Sequence, residues 1–204
     1  MRMLAIETAT EACSIALFED GGLVEARHEV LGRGHAERLV PMIAKLADRG
    51  RADTIRVSLG PGSFTGVRIG LATARALGIA WQAEVTGYPT LALVAAMALR
   101  ERPEAVTVCM NGGHGQWFVQ DFDARGCPVD DARSLDPQTA AHNPTSAIVA
   151  GNRAEEYARM GGGNVRSMPL LPDARAILAV PASLCTTDLS PIYGRPPDAR
   201  VTPP

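Results

Sequence analysis

Gly60-Pro61-Gly62-Ser63-Phe64-Thr65-Gly66-Val67-Arg68-Ile69-Gly70 joins an apolar strand pattern over residues 54–59 to a helical pattern over residues 63–81. A strand that passes into a helix through glycines invites the reading of a phosphate cradle, because the free amides of a helix start attract anions. The residues argue otherwise. A G-x-x-x-x-G-K-[ST] loop needs a lysine to reach the terminal phosphates, and here Val67 follows Gly66. A dinucleotide loop needs G-x-G-x-x-G, whereas Gly60, Gly62 and Gly66 are spaced G-x-G-x-x-x-G and Pro61 removes one amide donor. What the segment supports is a capped helix start, with Ser63 or Thr65 accepting from an early helix amide. Beyond it, Gly66, Gly70 and Ala74 fall four apart on one face. Glycine inside a helix costs roughly 1 kcal/mol relative to alanine, so this bare strip implies a close neighbour, either in the same chain or on a partner. Arg68 and Arg75 flank it and add weight to a partner.

Working outward, residues 4–8, 13–19 and 23–30 read as three strands of an antiparallel meander, separated by Thr/Glu and Asp20-Gly21-Gly22 turn signals. Residues 36–47 carry Leu39, Val40, Ile43, Leu46 and Ala47 at helical spacing. Pro41 inside that pattern leaves the Glu37 carbonyl without its amide, so the helix starts late or kinks. A short strand around Val85 and a helix over 90–99 follow, and Arg100-Glu101-Arg102-Pro103 marks a break. The pattern then partly repeats, with strands over 106–110, 117–122 and 147–150 and helical stretches near 154–160 and 173–178. Asn111-Gly112 reads as a tight hairpin turn between the first two of these. The chain therefore divides into an N-terminal lobe, residues 1–102, and a shorter C-terminal lobe, residues 103–204. Its tail, residues 189–204, holds five prolines and lies extended.

Composition narrows the function. No apolar run approaches the roughly 20 residues that span a bilayer, and Met1-Arg2-Met3-Leu4 runs straight into a strand pattern, which places the chain in the cytoplasm with no membrane partner. Cys13, Cys109, Cys127 and Cys185 are scattered, with no C-x-x-C pair for zinc or redox chemistry. Net charge is −2 and Lys45 is the sole lysine among 20 basic residues, so an electrostatic footprint for autonomous nucleic-acid binding is missing.

Three stretches together carry a resemblance: Ala5-Ile6-Glu7-Thr8-Ala9-Thr10-Glu11-Ala12-Cys13-Ser14-Ile15-Ala16-Leu17, then Gly34-His35-Ala36-Glu37-Arg38-Leu39-Val40-Pro41-Met42-Ile43, then the glycine segment. They are similar to the TsaB family of the bacterial tRNA threonylcarbamoyladenosine machinery, over about the first hundred residues. In the tail, Pro191-Ile192-Tyr193-Gly194-Arg195 resembles the family's proline, tyrosine and arginine motif. The resemblance implies an α/β, actin-like ATPase (ASKHA, RNase H-like) fold in two related lobes of mixed sheets flanked by helices. It also implies a noncatalytic subunit that binds a TsaD-like catalytic subunit, or a second copy of itself, through the first two helices. His35, Arg38, Leu39, Met42, Ser63, Phe64, Thr65, Gly66, Arg68, Gly70 and Ala74 are the interface residues it assigns. A TsaE-like ATPase within the complex and an indirect relation to tRNA complete the implied partners.

Departures from the family pattern refine this. The sister subunit TsaD holds a metal through His-x-x-x-His, but Leu39 stands four positions after His35, so no metal site and no catalytic residue are expected. Position 7, usually aspartate, is Glu7, which leaves Glu7, Thr8 and Thr10 as the only candidate nucleotide contacts, with ATP or ADP conceivable at a subunit boundary. In the second lobe, Asn111-Gly112-Gly113 and Gly115-Gln116-Trp117-Phe118 replace the family's charged residues. The alternative is an independent phosphotransferase or peptidase of the same fold, which needs a carboxylate pair facing a cleft.

Overall fold

A computed structural model describes residues 1–142, 144–162 and 165–194. The end of the tail, including Arg195, lies outside the described residues. The first sheet comprises β1 (Arg2–Glu7), β2 (Ala12–Glu19), β3 (Gly22–Val30), β4 (Thr54–Ser58) and β5 (Glu84–Tyr88), in the order β3-β2-β1-β4-β5. β1 pairs antiparallel with β2 and parallel with β4, so the sheet is mixed. The second sheet comprises β6 (Val106–Gly113), β7 (Gln116–Phe122), β8 (Arg133–Leu135), β9 (Ile148–Ala150) and β10 (Arg166–Met168). Its order, β10-β9-β6-β7-β8, is the same arrangement repeated.

Among the described residues five α-helices join the strands: α1 (His35–Ala44), α2 (Phe64–Trp81), α3 (Thr90–Glu101), α4 (Pro137–His142) and α5 (Ala154–Met160). The continuous apolar run of β1 is explained by its place at the centre of its sheet, buried on both faces. α3 is buried over eight of its twelve residues. One core cluster runs through it, from Met3, Ala5 and Phe18 of the first sheet to Val106, Val108 and Ile148 of the second. The alanines of α3 are what let both sheets approach it.

Several sequence expectations change in detail. α1 runs through Pro41 and ends three residues later at Ala44, so the residues up to Ala47 are not part of it. The turn between β6 and β7 falls on His114-Gly115, not Asn111-Gly112. His114 and Gly115 have φ of 52° and 76°, as a two-residue hairpin turn demands, while Asn111 to Gly113 form a register irregularity within β6. The stretch expected as a helix near 173–178 is a 3-10 turn, Ala174–Ala179, capped by Asp173. β8, β10 and α4 were not foreseen. The tail over 189–194 crosses the first lobe and ends against Phe118 of the second.

Candidate functional site

The site is built around the joint between the β1–β2 turn and α2. Ser63 caps α2, its hydroxyl accepting from the Gly66 amide at 3.3 Å, while Thr65 does not cap it. The Ser63 amide donates to the Ala9 carbonyl at 2.6 Å, and the Thr8 hydroxyl donates to the Gly66 carbonyl at 2.8 Å. A Cβ on Gly62 would fall on the Ala9 carbonyl oxygen, one on Gly66 on the Thr8 carbonyl oxygen, and one on Gly70 on the Thr8 hydroxyl. The neighbour that the bare strip demands is therefore the chain itself. Gly66, Gly70 and Ala74, assigned to a partner interface from sequence, face inward and are buried. A bulky residue at Gly70 is accordingly a folding lesion and not a probe of docking.

Glu7 lies behind this joint, fully buried. Its Oε1 accepts from the Ala9 amide at 2.7 Å, and the Tyr88 hydroxyl, which donates to the Ile6 carbonyl at 3.0 Å, stands 3.4 Å from Oε2. Burial pushes the Glu7 carboxyl up to about 7, against the opposing pull of the Ala9 amide. Glu7 and Thr8, two of the three residues considered for nucleotide contact, thus support the turn from behind. Thr10 alone of the three lines the cleft.

That cleft, of about 980 Å³, lies between the lobes. The β1–β2 turn, the start of α1 and the start of α2 form one side, and residues of the β6–β7 hairpin together with Phe118 form the other. At the joint the amides of Ala9, Ser63, Gly66 and Val67 are taken by oxygens of the same chain, and Pro61 has none. Glu11 ties the lobes across the cleft, its two carboxylate oxygens accepting from Asn152 at 2.9 and 3.1 Å, while the Asn152 side-chain oxygen accepts from the Asn111 amide at 2.8 Å.

The interface residues assigned from sequence separate by exposure. Leu39 and Met42 are core residues of the first lobe. His35 is buried, with Nε2 donating to the Ala12 carbonyl at 3.2 Å. Arg38 forks onto Glu29 of β3 at 2.6 and 2.7 Å, and that hydrogen bonding holds the Glu29 carboxyl below its usual range. Ser63, Phe64, Thr65 and Arg68 stay exposed at the cleft mouth, Phe64 by 57%. The Arg68 guanidinium lies 3.5 Å over the Phe64 ring.

Tyr193 joins this patch from 125 residues away, its ring stacked on Phe64 at 5.9 Å and its hydroxyl accepting from Arg68 at 3.0 Å. Local sequence pattern carries no signal for such a contact, and none for the Glu11–Asn152 tie.

One serine, histidine and aspartate cluster lies outside the cleft lining. Ser14, His28 and Asp173 do come together, with His28 Nδ1 3.5 Å from Asp173 Oδ2. The buried Ser14 hydroxyl, however, donates to Asp173 and accepts from the Ala174 amide, so it does not donate to the imidazole as a nucleophilic serine must. Among the described residues no three His, Cys, Asp or Glu side chains are grouped to hold a metal, and no helix is long and apolar enough to cross a membrane.

Duplicated mixed sheets around a shared cleft define the class as an actin-like, two-lobed α/β protein. In keeping with this, residues 20–169 match the family model described as TsaD, tRNA N6-adenosine threonylcarbamoyltransferase. The threonylcarbamoyladenosine biosynthesis protein TsaB of Escherichia coli is 41% identical over 106 residues, covering 50% of this chain and 46% of that protein. The chain thus matches about half the length of that relative. An uncharacterized protein of Mycobacterium bovis is 30% identical over 97% of this chain and 93% of its own length. The solved structure of YeaZ from Pseudomonas aeruginosa superposes with a TM-score of 0.80 at 30% identity, covering 94% of this chain and 99% of that one. The chain belongs to the TsaB family.

Proposed function

We propose that this chain is a noncatalytic docking subunit for the transfer of threonylcarbamoyl to the adenosine beside the anticodon of tRNAs. It works by binding a TsaD-like catalytic subunit, in the cytoplasm, with a TsaE-like ATPase in the same complex and tRNA reached through the partner. Alone, the chain pairs with a second copy. The observation that carries this reading is the division at the start of α2: its inner face is locked into its own lobe, while Ser63, Phe64, Thr65 and Arg68 stand exposed beside the cleft. A half-exposed aromatic paired with an arginine is the composition of an interface anchor. The same locking supports a chain that holds no nucleotide phosphate of its own at the joint, and ATP or ADP, if used, belongs at the subunit boundary.

The test is co-purification of the tagged chain with the TsaD-like subunit of its own organism, for the wild type and for Phe64→Asp. Retention by the wild type and at least roughly tenfold loss in the variant, with unchanged circular dichroism, is the expected result. Failure of the wild-type chain to retain the catalytic subunit would overturn the reading. An isolated chain that hydrolyses ATP or a peptide above background would favour the phosphotransferase or peptidase alternative instead.

A further inference from the structure

Residues 185–194 leave the second lobe and cross the outside of the first as an extended strap. Thr186 pairs with Gly87 at the free edge of β5 through two backbone hydrogen bonds of 2.7 and 2.9 Å. The Leu189 carbonyl accepts from Arg75 at 3.0 Å, and the Ile192 amide donates to the Leu59 carbonyl at 2.7 Å. Leu189 and Ile192 pack against the core of the first lobe. Gly194 then lies against the Phe118 ring of the second lobe and against Pro61, where a Cβ would collide with the ring. Arg68 and Arg75, two turns apart on α2, both reach the strap. Both arginines thus make hydrogen bonds within the chain.

Tyr193 sits at the end of the strap, on Phe64 and Arg68. Without it, both side chains stand on the exposed first turns of a helix, free to sample several rotamers. We propose that the strap is a clamp that completes the docking face: Tyr193 holds Phe64 and Arg68 in the arrangement that the TsaD-like partner meets, so the face is built from segments 125 residues apart. This rests on the docking reading above. Each rotamer-rich side chain that need not be ordered on association favours binding by roughly two- to tenfold.

The test compares wild type, Tyr193→Ala and Tyr193→Phe by two measurements. In the isolated chain, hydrogen exchange at the amides of Ile192 and of residues 64–69 is expected to quicken by roughly tenfold in Tyr193→Ala, with α3 unaffected. Affinity for the TsaD-like subunit is expected to fall roughly tenfold in Tyr193→Ala and about threefold in Tyr193→Phe, which keeps the stack and loses the hydrogen bond. Unchanged exchange in Tyr193→Ala overturns the clamp whatever the docking result. Altered exchange with unaltered or tighter docking overturns the composite face, since the strap then lies outside the interface or covers it. A wild-type chain that does not bind the subunit at all defeats the docking reading, and the clamp is then judged on exchange alone.

Discussion

The two lobes fasten the helix after their fourth strand in the same way and use that helix differently. In the first lobe the Ser63 amide donates to the Ala9 carbonyl beyond β1, and in the second the Arg153 amide donates to the Cys109 carbonyl of β6 at 3.2 Å. Each joint needs a glycine: Gly62 against Ala9 in one, and Gly151, at φ 123°, against Cys109 in the other. Then they diverge. α2 runs for 18 residues with a bare inner face, whereas α5 stops after seven and buries Ala154 and Tyr157. The joint is thus a property of the duplicated architecture, and the long helix with an exposed mouth is peculiar to the first lobe. The proposed docking face lies on the part that differs.

The most severe way to break this comparison is to place a side chain in each joint. Gly66→Val and Gly151→Val both put carbon onto a backbone oxygen that cannot move aside, so each is expected to lower stability by about 3 kcal/mol in urea denaturation. Loss in one and not the other would show that the joints are not equivalent.

Glu7 offers a second, pH-dependent test, because the second lobe has Gly112 and Gly113, not a carboxylate, at the end of β6. A carboxyl with a folded pKa near 7 and an unfolded value near 4.5 keeps its proton in the native state while the unfolded chain loses it. Native stability is therefore greatest, in this respect, below the unfolded value and is lost as pH rises through about 7, by roughly 2 to 3 kcal/mol. Thermal melts between pH 5 and pH 8 should show this decline in the wild type and a flatter profile in Glu7→Gln.

Smaller effects sharpen the picture. Asn152→Ala removes the tie from Glu11 to the Asn111 amide and should cost about 1.5 kcal/mol by chemical denaturation, with no change in secondary structure. Ser63→Ala removes the cap of α2 and should cost about 0.5 kcal/mol, whereas Arg153, which supplies no side-chain cap to α5, should tolerate alanine without that loss.

How much of this was legible in sequence follows from range. β1, β2, α2 and α3 announce themselves because each is long enough to stand out as an apolar run or a helical pattern. β8 and β10, of three residues each, and α4, of six, are too short to show one. The bare strip on α2 was legible as a demand for a close neighbour, but its occupants, Thr8 and Ala9, lie more than fifty residues upstream and carry no mark of it. Likewise Arg68 read as an exposed flank because nothing local points to Tyr193. Val67 was the most informative single residue, since its place after Gly66 excluded the G-x-x-x-x-G-K-[ST] loop before any geometry was available.

α3, enclosed between the two sheets, has a consequence for how the molecule comes apart. A helix with so little solvent-facing surface cannot keep its place against one sheet once the other has gone, so neither lobe has a complete interior without its neighbour. The lobe division near residue 102 is therefore not expected to be a boundary of cooperativity. Calorimetry should record one transition for the whole chain, and two fragments cut there should recover native structure only when mixed.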